Sequence, residues 1–152
     1  MYNSHKTAIT RKKPSLPMQW LADHKYLCDI DGGYINILDY GCGKGFDADY
    51  FEIDKYDPTF FPSLLRPTLG YDIITCNYVL NVVDTIEQEA ILENIRNLLV
   101  VGGKAYFSVR RDIKVEGINK RGTYQRNVVL DDRFKLLKVT KGYALYEITK
   151  DF

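Results

Sequence analysis

The segment Ile37-Leu38-Asp39-Tyr40-Gly41-Cys42-Gly43-Lys44-Gly45 decides the fold of this chain. An apolar run meets an acidic residue there, and three glycines follow at every second position. Short apolar runs that stop at glycines are typical of buried strands, so we predict a strand over residues 34–39. Glycine lacks a β-carbon, which lets the backbone turn sharply and approach a ligand closely. The segment therefore predicts a strand followed by a ligand-binding turn.

The spacing of the glycines argues against two common nucleotide sites. A dinucleotide-binding turn of the Gly-x-Gly-x-x-Gly type needs a glycine at position 46, where Phe46 stands. A P-loop is excluded because no Gly-Lys-Ser/Thr sequence follows. The turn also carries acids at Asp39, Asp47 and Asp49, which suit a ligand with an ammonium or a sulfonium and suit a pyrophosphate poorly. We therefore expect a cationic ligand.

Helices and strands alternate along the rest of the chain. After a basic arm over residues 1–14 we predict a helix over 15–26, with Ser15 as its N-cap. Further helices are predicted over 46–52 and 85–100, the second with one apolar face (Ile86, Ala90, Ile91, Ile95, Leu98 and Leu99) and ended by Gly102-Gly103. Strands are predicted over 53–57, 71–76 and 104–109, a long loop over 112–126, and an antiparallel hairpin from the runs 134–140 and 143–149. This order predicts a single α/β domain over residues 1–152, with a core over 35–152: a doubly wound, mostly parallel sheet with an antiparallel C-terminal hairpin.

Polar residues follow each predicted strand. In open parallel sheets, ligands bind at the carboxyl ends of the strands. Residues 39–45, Asp57, residues 76–78 and Arg110 all fall at such ends. We expect these four loops to meet on one rim of the sheet.

Three motifs in order resemble the class I S-adenosylmethionine-dependent methyltransferases. The glycine turn is similar to their first motif. The runs 71–74 and 77–83 look like their fourth strand and its exit, and the runs 92–99 and 102–107 resemble their next helix, double glycine and fifth strand. The likeness covers roughly residues 35 to 112. It implies a Rossmann-like fold, methyltransferase activity and S-adenosylmethionine as the cofactor.

A narrower likeness spans most of the chain. It rests on His5-Lys6-Thr7-Ala8-Ile9-Thr10-Arg11, Ser15 with Pro17, residues 38–43, Tyr56-Asp57-Pro58, residues 78–82, Arg110-Arg111 and Gly122-Thr123-Tyr124-Gln125. Together these segments resemble the methyltransferases associated with DNA phosphorothioation, although this chain is shorter.

The resemblance implies roles for individual residues. The expected cofactor-binding residues are Asp39, Tyr40, Gly41, Cys42, Gly43, Asp57, Cys76 and Asn77. Asp39 and residues 41–43 would hold the methionyl end, Asp57 the ribose hydroxyls, and residues 76–78 the floor beside the adenine and the methyl group. Asn77 and Tyr78 would be catalytic, and Arg11 and Arg110 would bind substrate.

Each of these roles has a structural alternative. Asn77 and Tyr78 could simply pack or cap, since the Asn/Asp-Pro-Pro-Tyr signature of amino-methylating enzymes is absent. Arg110 or Arg111 could form a surface ion pair with Asp112. Cys76 could act as a covalent nucleophile, but no proline precedes it and free cysteines commonly pack in cores.

The chain departs from the family pattern in one region. Asp57 follows Gly45 after only twelve residues, so the intervening helix must be very short. The usual third strand is missing or reduced to residues 58–70, which hold three prolines. This departure favours weaker adenine recognition or a chain that binds the cofactor without catalysis.

Composition bounds the environment and the partners. Three cysteines without metal-ligand spacing predict a reduced, cytoplasmic chain with no metal site, and no stretch is long enough to span a membrane. Net charge is +1, but residues 1–26 carry +4 and residues 103–126 carry +5, against −7 over residues 37–100. Basic flanks of this kind favour a polyanionic partner. Three hypotheses stay open: a nucleic-acid methyltransferase, a small-molecule or protein methyltransferase, and a non-catalytic regulatory module. We expect a monomer or a weak homodimer.

Overall fold

The computed structural model describes residues 4–29, 31–64 and 70–151. Its helices are α1 (Leu16–Asp23), α2 (Phe46–Phe51) and α3 (Thr85–Leu98), with short 3₁₀ helices at Ser4–Thr7 and Leu80–Val82. Its strands are β1 (Ile37–Tyr40), β2 (Asp54–Tyr56), β3 (Tyr71–Asn77), β4 (Leu99–Arg110), β5 (Gly117–Ile118), β6 (Tyr124–Gln125), β7 (Lys135–Val139) and β8 (Tyr143–Thr149).

Six of these strands form one sheet in the order β2-β1-β3-β4-β8-β7. The first four are parallel, while β8 runs antiparallel to both β4 and β7. The predicted Rossmann-like fold, with its mostly parallel sheet and closing hairpin, is confirmed. In the ranges that the structure describes, β2 is the edge of the sheet and only the isolated bridge Asp57–Phe61 follows it. Residues 65–69 of the predicted irregular stretch lie outside the described residues.

The sheet is covered on both faces, because successive residues of a strand point to opposite sides. One face packs against α1, in a cluster of buried residues comprising Met18, Leu21, Ile37, Ile73, Tyr106, Tyr143 and Leu145. The other face packs against α3 and includes Leu38, Ile74, Cys76, Ile95 and Phe107. We call these the α1 face and the α3 face. The alternation places Asp39, Thr75 and Asn77 on the α1 face.

The predicted end of the third helix is wrong. Helix α3 ends at Leu98, and Leu99 is already extended and paired with Tyr71. Gly102 and Gly103 belong to a bulge in β4, because the register jumps from Tyr71–Leu99 to Ile73–Lys104. Gly102 has a φ of +85°, and a β-carbon on Gly103 would lie 2.8 Å from the Val100 carbonyl oxygen. The two glycines therefore allow a bulge and do not terminate the helix.

The predicted apolar face of α3 is only partly correct. Ile95 is buried and Ile91 and Leu98 pack against the core, but Ile86 is 82% exposed and Ala90 is also exposed. The N-cap is Asp84, whose side chain accepts a hydrogen bond from the Glu87 backbone N–H at 2.8 Å. The first turns of this helix lie beside the cleft described below, so core packing begins only further along.

Two other predicted elements differ in extent. Helix α1 ends at Asp23, and residues 24–26 form turns where the sequence predicts helix. Ser15 is at the N-cap position, but its hydroxyl makes no capping bond. The predicted loop over 112–126 contains the small antiparallel hairpin β5–β6.

Candidate active site

The glycine turn after β1 is held by the end of β2. Gly41, Gly43 and Gly45 have φ values of +74°, +58° and +85°, a left-handed conformation that favours glycine. The backbone N–H groups of Gly41 and Cys42 donate to the Tyr56 carbonyl oxygen at 2.8 and 3.0 Å. A β-carbon on Gly41 would overlap the Val79 side chain from the neighbouring strand exit. The turn thus has both the backbone shape and the space that only glycine permits.

Asp57 organises the same turn through its side chain. Its Oδ2 accepts from the Gly43 N–H at 3.0 Å, and its Oδ1 accepts from the N–H groups of Thr59 and Phe60 at 2.9 and 3.1 Å. A carboxylate oxygen has room for two donors, so Oδ2 keeps one acceptor position. Asp57 is therefore both a structural clamp on the glycine turn and a remaining acceptor.

Asp39 is a buried acid at the base of the turn. Thr75 Oγ1 donates to its Oδ1 at 2.9 Å, and the residue is 3% exposed. Burial raises the pKa of Asp39 to about 7, opposed by the Thr75 hydrogen bond, reinforced by Asp47 and opposed by Arg11. A nearby cation would favour the charged form of this carboxyl group.

Asn77 ends β3 with a buried amide. Ser108 Oγ donates to Asn77 Oδ1 at 2.7 Å, whereas the buried Nδ2 has no hydrogen-bond partner within the described part of the chain. A buried donor without a partner costs roughly 1–3 kcal/mol, so this nitrogen fits an acceptor atom of a ligand.

Tyr78, the next residue, has a strained backbone. Its φ is +61°, and its N–H donates to the Ser108 carbonyl oxygen at 2.9 Å. Its ring meets Tyr143 edge-on at a centroid distance of 6.4 Å. Burial and then Tyr143 raise the pKa of Tyr78 to about 12, while Arg11 and Arg110 act in the opposite direction. The phenol thus stays protonated at neutral pH.

These residues surround a cleft of about 360 Å³ at the carboxyl edge of the sheet. We call it the glycine-turn cleft. Its walls are the glycine turn, the exits of β2 and β3, the first turns of α3 and residues 4–11 of the arm. Four acidic side chains line it (Asp39, Asp47, Asp57 and Glu87), against two basic ones, Arg11 and Lys44. An acidic cleft of this size suits a small cationic ligand.

The model of the methyltransferase domain family matches residues 11–139. The chain belongs to this family. Membership confirms the predicted enzyme class, a class I S-adenosylmethionine-dependent methyltransferase, and with it the expected cofactor. No curated protein sequence matches the chain.

Solved structures of other methyltransferases share the fold. The 1,6-didemethyltoxoflavin-N1-methyltransferase of Burkholderia thailandensis, with bound 1,6-didemethyltoxoflavin and S-adenosylhomocysteine, is 17% identical; the match covers 88% of this chain and 76% of that one, with a TM-score of 0.63. The N-methyltransferase NodS of Bradyrhizobium japonicum, in complex with S-adenosylhomocysteine, is 14% identical over 98% and 97% of the chains, with a TM-score of 0.59. The magnesium protoporphyrin IX methyltransferase of Synechocystis, with bound S-adenosylhomocysteine, is 15% identical over 88% and 80%, with a TM-score of 0.53.

Most of the predicted site residues of this methyltransferase meet in the glycine-turn cleft. They are Arg11, Asp39, Tyr40, Gly41, Cys42, Gly43, Asp57, Asn77 and Tyr78. Burial and then Asp39 raise the pKa of Cys42 to about 12, so this residue is a thiol whose Sγ contacts the Gly43 carbonyl oxygen at 3.6 Å.

Cys76 does not line the cleft. It precedes Asn77 in β3 and therefore points to the α3 face, where it is 1% exposed in the apolar core. Burial raises its pKa, which leaves no thiolate for nucleophilic attack. The structure thus favours the core alternative for Cys76, and we leave it out of the cofactor site.

The basic arm lines one side of the cleft. His5, Ala8 and Ile9 line it, and Lys44 Nζ donates to Thr10 Oγ1 at 3.1 Å. Directly after the arm, Ser15 donates its N–H and its hydroxyl to the buried Asp47 carboxylate at 2.9 and 2.7 Å. The local sequence pattern indicates neither the position of His5 at the cleft nor the bonding of Asp47 to Ser15.

A second pocket of about 890 Å³ adjoins the cleft. We call it the hairpin pocket. Tyr78 and Arg11 line both cavities, while Arg110 lines only the hairpin pocket. Arg110 also forms the anticipated surface ion pair, at 3.0 Å from Asp112. Trp20 of α1 and Tyr143 of β8 provide aromatic surface there.

Two further observations concern the described part of the chain. Its His, Cys, Asp and Glu side chains form no group of three that could hold a metal ion. Neither α1, α2 nor α3, nor any other helix in the described ranges, has the length and apolar character needed to cross a membrane.

Proposed function

We propose that this methyltransferase binds S-adenosylmethionine in the glycine-turn cleft and methylates a small molecule that occupies the hairpin pocket. The observation that carries the proposal is the meeting of the two cavities at Tyr78. One cavity has the acidic character that a cationic cofactor requires, and the other has the volume of a small-molecule site, roughly 300–1,000 Å³. Two of the solved neighbours act on 1,6-didemethyltoxoflavin and on magnesium protoporphyrin IX by their names, which agrees with a small acceptor.

The residues of the cleft fit the parts of the cofactor. Asp39 would accept hydrogen bonds from the methionyl ammonium, beside the backbone of residues 41–43. The unpaired Nδ2 of Asn77 would donate to a ligand oxygen, and Asp57 Oδ2 would accept from a ribose hydroxyl. Tyr40, Tyr56, Pro58, Val79 and Ile91 offer the apolar surface that a purine needs. These apolar side chains would recognise the adenine in place of a third strand, which the described residues do not form beside β2.

Tyr78 would position the acceptor. When bound, S-adenosylmethionine supplies a methyl group that is already activated on a sulfonium. The protein then mainly has to align the reactants and exclude water. The protonated Tyr78 phenol can accept a hydrogen bond from an N–H or O–H group of the acceptor and so aim its lone pair. Asn77 and Arg11 border the same position, which makes them further positioning residues in this proposal.

Calorimetry tests the cofactor half of the proposal directly. We expect S-adenosylmethionine and S-adenosylhomocysteine to bind with dissociation constants between about 1 µM and 1 mM, the range of enzyme ligands. The Asn77→Leu variant lacks the unpaired donor, so we expect it to bind both ligands about tenfold or more weakly than the wild type. Asn97→Leu is a matched control, since Asn97 is exposed on α3 and does not line the cleft. Absence of binding by either ligand would refute the proposal.

Nucleic acid is the second candidate acceptor. Exposed basic residues lie next in sequence to residues that line the hairpin pocket, among them Lys12, Lys13, Arg111 and Lys114. The likeness to methyltransferases associated with DNA phosphorothioation points the same way. This candidate predicts oligonucleotide binding that weakens steeply with salt, with a slope of about −0.7 to −0.9 per phosphate contact on logarithmic axes. Labelled-methyl assays on oligonucleotides and on small aromatic compounds would then separate the two acceptors.

A non-catalytic module is the third candidate. The observation that favours it is the position of β2 at the edge of the sheet among the described residues, where the usual third strand would pair. It predicts that both cofactor forms bind while neither acceptor class takes up labelled methyl. Transfer to any acceptor would exclude it.

A further inference from the structure

The hairpin pocket has a charge that the cofactor does not explain. We infer that it recognises its acceptor through an anionic group, a carboxylate or a phosphate, carried on a flat apolar body. This inference rests on the proposed function, because it assigns the substrate class of the same active site. It goes further in naming the chemistry that the acceptor must bring.

The basic side chains of the pocket outnumber the acidic ones. Arg11, Arg110, Lys138 and Lys141 line it, against Asp23 and Asp112. Both acids already have partners within the protein: Asp112 pairs with Arg110 at 3.0 Å, and Asp23 accepts from Gln19 Nε2 at 2.8 Å. In the described ranges 4–29, 31–64 and 70–151, no ion pair involves Arg11, Lys138 or Lys141. These three cations can therefore pair with a ligand anion without breaking an internal ion pair.

Two of the three cations are partly shielded from solvent. Arg11 is half-buried, and it lies where the glycine-turn cleft and the hairpin pocket meet. Lys138 is also half-buried, with its Nζ over the Trp20 ring at 5.7 Å from the centroid. A half-buried cation interacts more strongly with an anion than a fully exposed one, because solvent screens it less.

The apolar part of the pocket is aromatic. Trp20 is fixed by a stacked contact with His24 at 4.1 Å and by a hydrogen bond between the Trp20 carbonyl oxygen and His24 Nδ1. Tyr78 and Tyr143 form an edge-on pair at the side of the glycine-turn cleft. An acceptor bound by Lys138 would thus lie between fixed aromatic side chains, which favour a flat ring.

The dimensions favour a small molecule. The pocket is bounded by the arm, α1, the exit of β4 and the β7–β8 turn, and its volume is about 890 Å³. That volume lies within the range of small-molecule sites, roughly 300–1,000 Å³. The acceptor then carries its methylated nitrogen or oxygen at Tyr78 and its anion toward Arg11, Lys138 and Lys141. During transfer the methyl–sulfur bond breaks with its electron pair remaining on sulfur, a bond forms from the acceptor lone pair, and the acceptor's displaced proton goes to water.

The test uses protein saturated with S-adenosylhomocysteine and observes binding by ligand-detected NMR and calorimetry. The probes are single-ring aromatic amines that carry a carboxylate, each matched with its neutral primary amide, together with aromatic phosphate monoesters that carry an amine. We expect the acids to bind at least about tenfold more tightly than their amides. Comparison of carboxylates with phosphates identifies which anion the pocket prefers.

Variants assign the preference to the pocket. Lys138→Gln with Lys141→Gln should abolish the preference for the acids and leave binding of S-adenosylhomocysteine unchanged. Lys135→Gln is the control, because Lys135 is exposed on the same hairpin and does not line the pocket. A preference that survives the double variant would contradict the inference.

Three other outcomes would also overturn it. These are equal binding of acids and amides, binding of no acid at all, and displacement of a bound acid by a short oligonucleotide in a salt-dependent manner. Failure of S-adenosylhomocysteine to bind is a different result, since it refutes the proposed function. In that case the acid and amide pairs are compared on the unloaded protein, where the charge preference of the pocket is still measured.

Discussion

The glycine-turn cleft and the hairpin pocket lie side by side and carry opposite charge. The cleft has four acids, and three of them, Asp39, Asp47 and Asp57, are buried with hydrogen bonds. The pocket has an excess of cations, three of which lack an internal ion pair among the described residues. The cleft is therefore preorganised by the fold, whereas the pocket is left for an incoming group to neutralise. In our proposal, this difference in charge distinguishes the cofactor site from the acceptor site.

The glycine turn should give the largest effect. Gly41→Ala adds a β-carbon that overlaps Val79 at a φ of +74°, so we expect binding of S-adenosylhomocysteine to weaken by about a hundredfold or more. Gly102→Ala provides the matched control. Gly102 has a φ of +85° with open space around it, far from the cleft in the β4 bulge. It should lose about 1 kcal/mol of stability and retain binding, as calorimetry and urea unfolding will show. Equal binding losses in both variants would mean that backbone strain, and not the cleft, is responsible.

Substitution of Asp39 should give the second-largest effect. It should raise the stability of the fold and weaken cofactor binding. The pKa of Asp39 in the folded state, about 7, lies above the ordinary aspartic acid pKa of 3.8, so the folded state binds more protons than the unfolded state between these two pH values. Stability from this group is complete below pH 4 and is lost as pH rises to about 7. Asp39→Asn should therefore be more stable than the wild type at pH 8, by up to about 4 kcal/mol, and equal to it near pH 4.

The affinity of the Asp39→Asn variant for S-adenosylmethionine is measured in parallel. Loss of the carboxylate should weaken the binding of S-adenosylmethionine by about tenfold or more. Asp49→Asn is the control, because Asp49 is exposed on α2 and forms only a surface pair with Lys55. A pH-independent stability difference would show that Asp39 is not a proton-binding group of the folded state.

The anchor of the arm should give a smaller effect. Ser15→Ala removes one of the two hydrogen bonds to the buried Asp47 carboxylate, so we expect a loss of about 1–3 kcal/mol in urea unfolding. Ser63→Ala, at an exposed serine, should change stability by less than about 0.5 kcal/mol. A neutral Ser15→Ala would show that the arm is not fixed over the cleft in solution.

The smallest effect belongs to the rim of the hairpin pocket. Arg110 and Asp112 are 41% and 49% exposed, and exposed pairs contribute roughly 0–1 kcal/mol. Arg110→Gln should therefore leave thermal unfolding and S-adenosylhomocysteine binding nearly unchanged. Arg11→Gln, at the junction of the two cavities, is expected to alter binding of the aromatic acids more than Arg110→Gln does. A larger effect of Arg110→Gln than of Arg11→Gln in calorimetry would instead assign the anion site to the rim of the hairpin pocket.

The sequence predicted best what depends on local pattern. The order of strands and helices, the glycine turn and the strand exits at Asp57 and Asn77 could all be read because each is a property of neighbouring residues. The convergence of these exits then follows from the topology of a parallel sheet. Ten of the eleven predicted site residues line one or both of the two cavities, and Cys76 alone of the eleven lies elsewhere.

The remaining features depend on distant partners. Whether Cys76 or Asn77 faces the cleft depends on which face of the sheet α1 covers. The sequence of β3 does not decide this, because both of its faces carry apolar residues. Gly102 and Gly103 look like a helix end, but the bulge they form requires the pairing of β4 with β3. Ser15 looks like a helix cap, yet its hydroxyl bonds to Asp47, thirty-two residues away in sequence. Coverage of the cleft by the arm and the existence of the hairpin pocket are likewise long-range properties.

The left-handed backbone of Tyr78 has a consequence for anyone who engineers this protein. A bulky aromatic residue at a φ of +61° costs roughly 1–3 kcal/mol, which glycine or asparagine at the same position would recover in part. A thermostability screen of random variants should therefore enrich replacements of Tyr78, and by the reasoning above also of Asp39. The stabilising substitutions in such a screen should therefore cluster in the active site, because the native residues there are retained for function although they lower the stability of the fold.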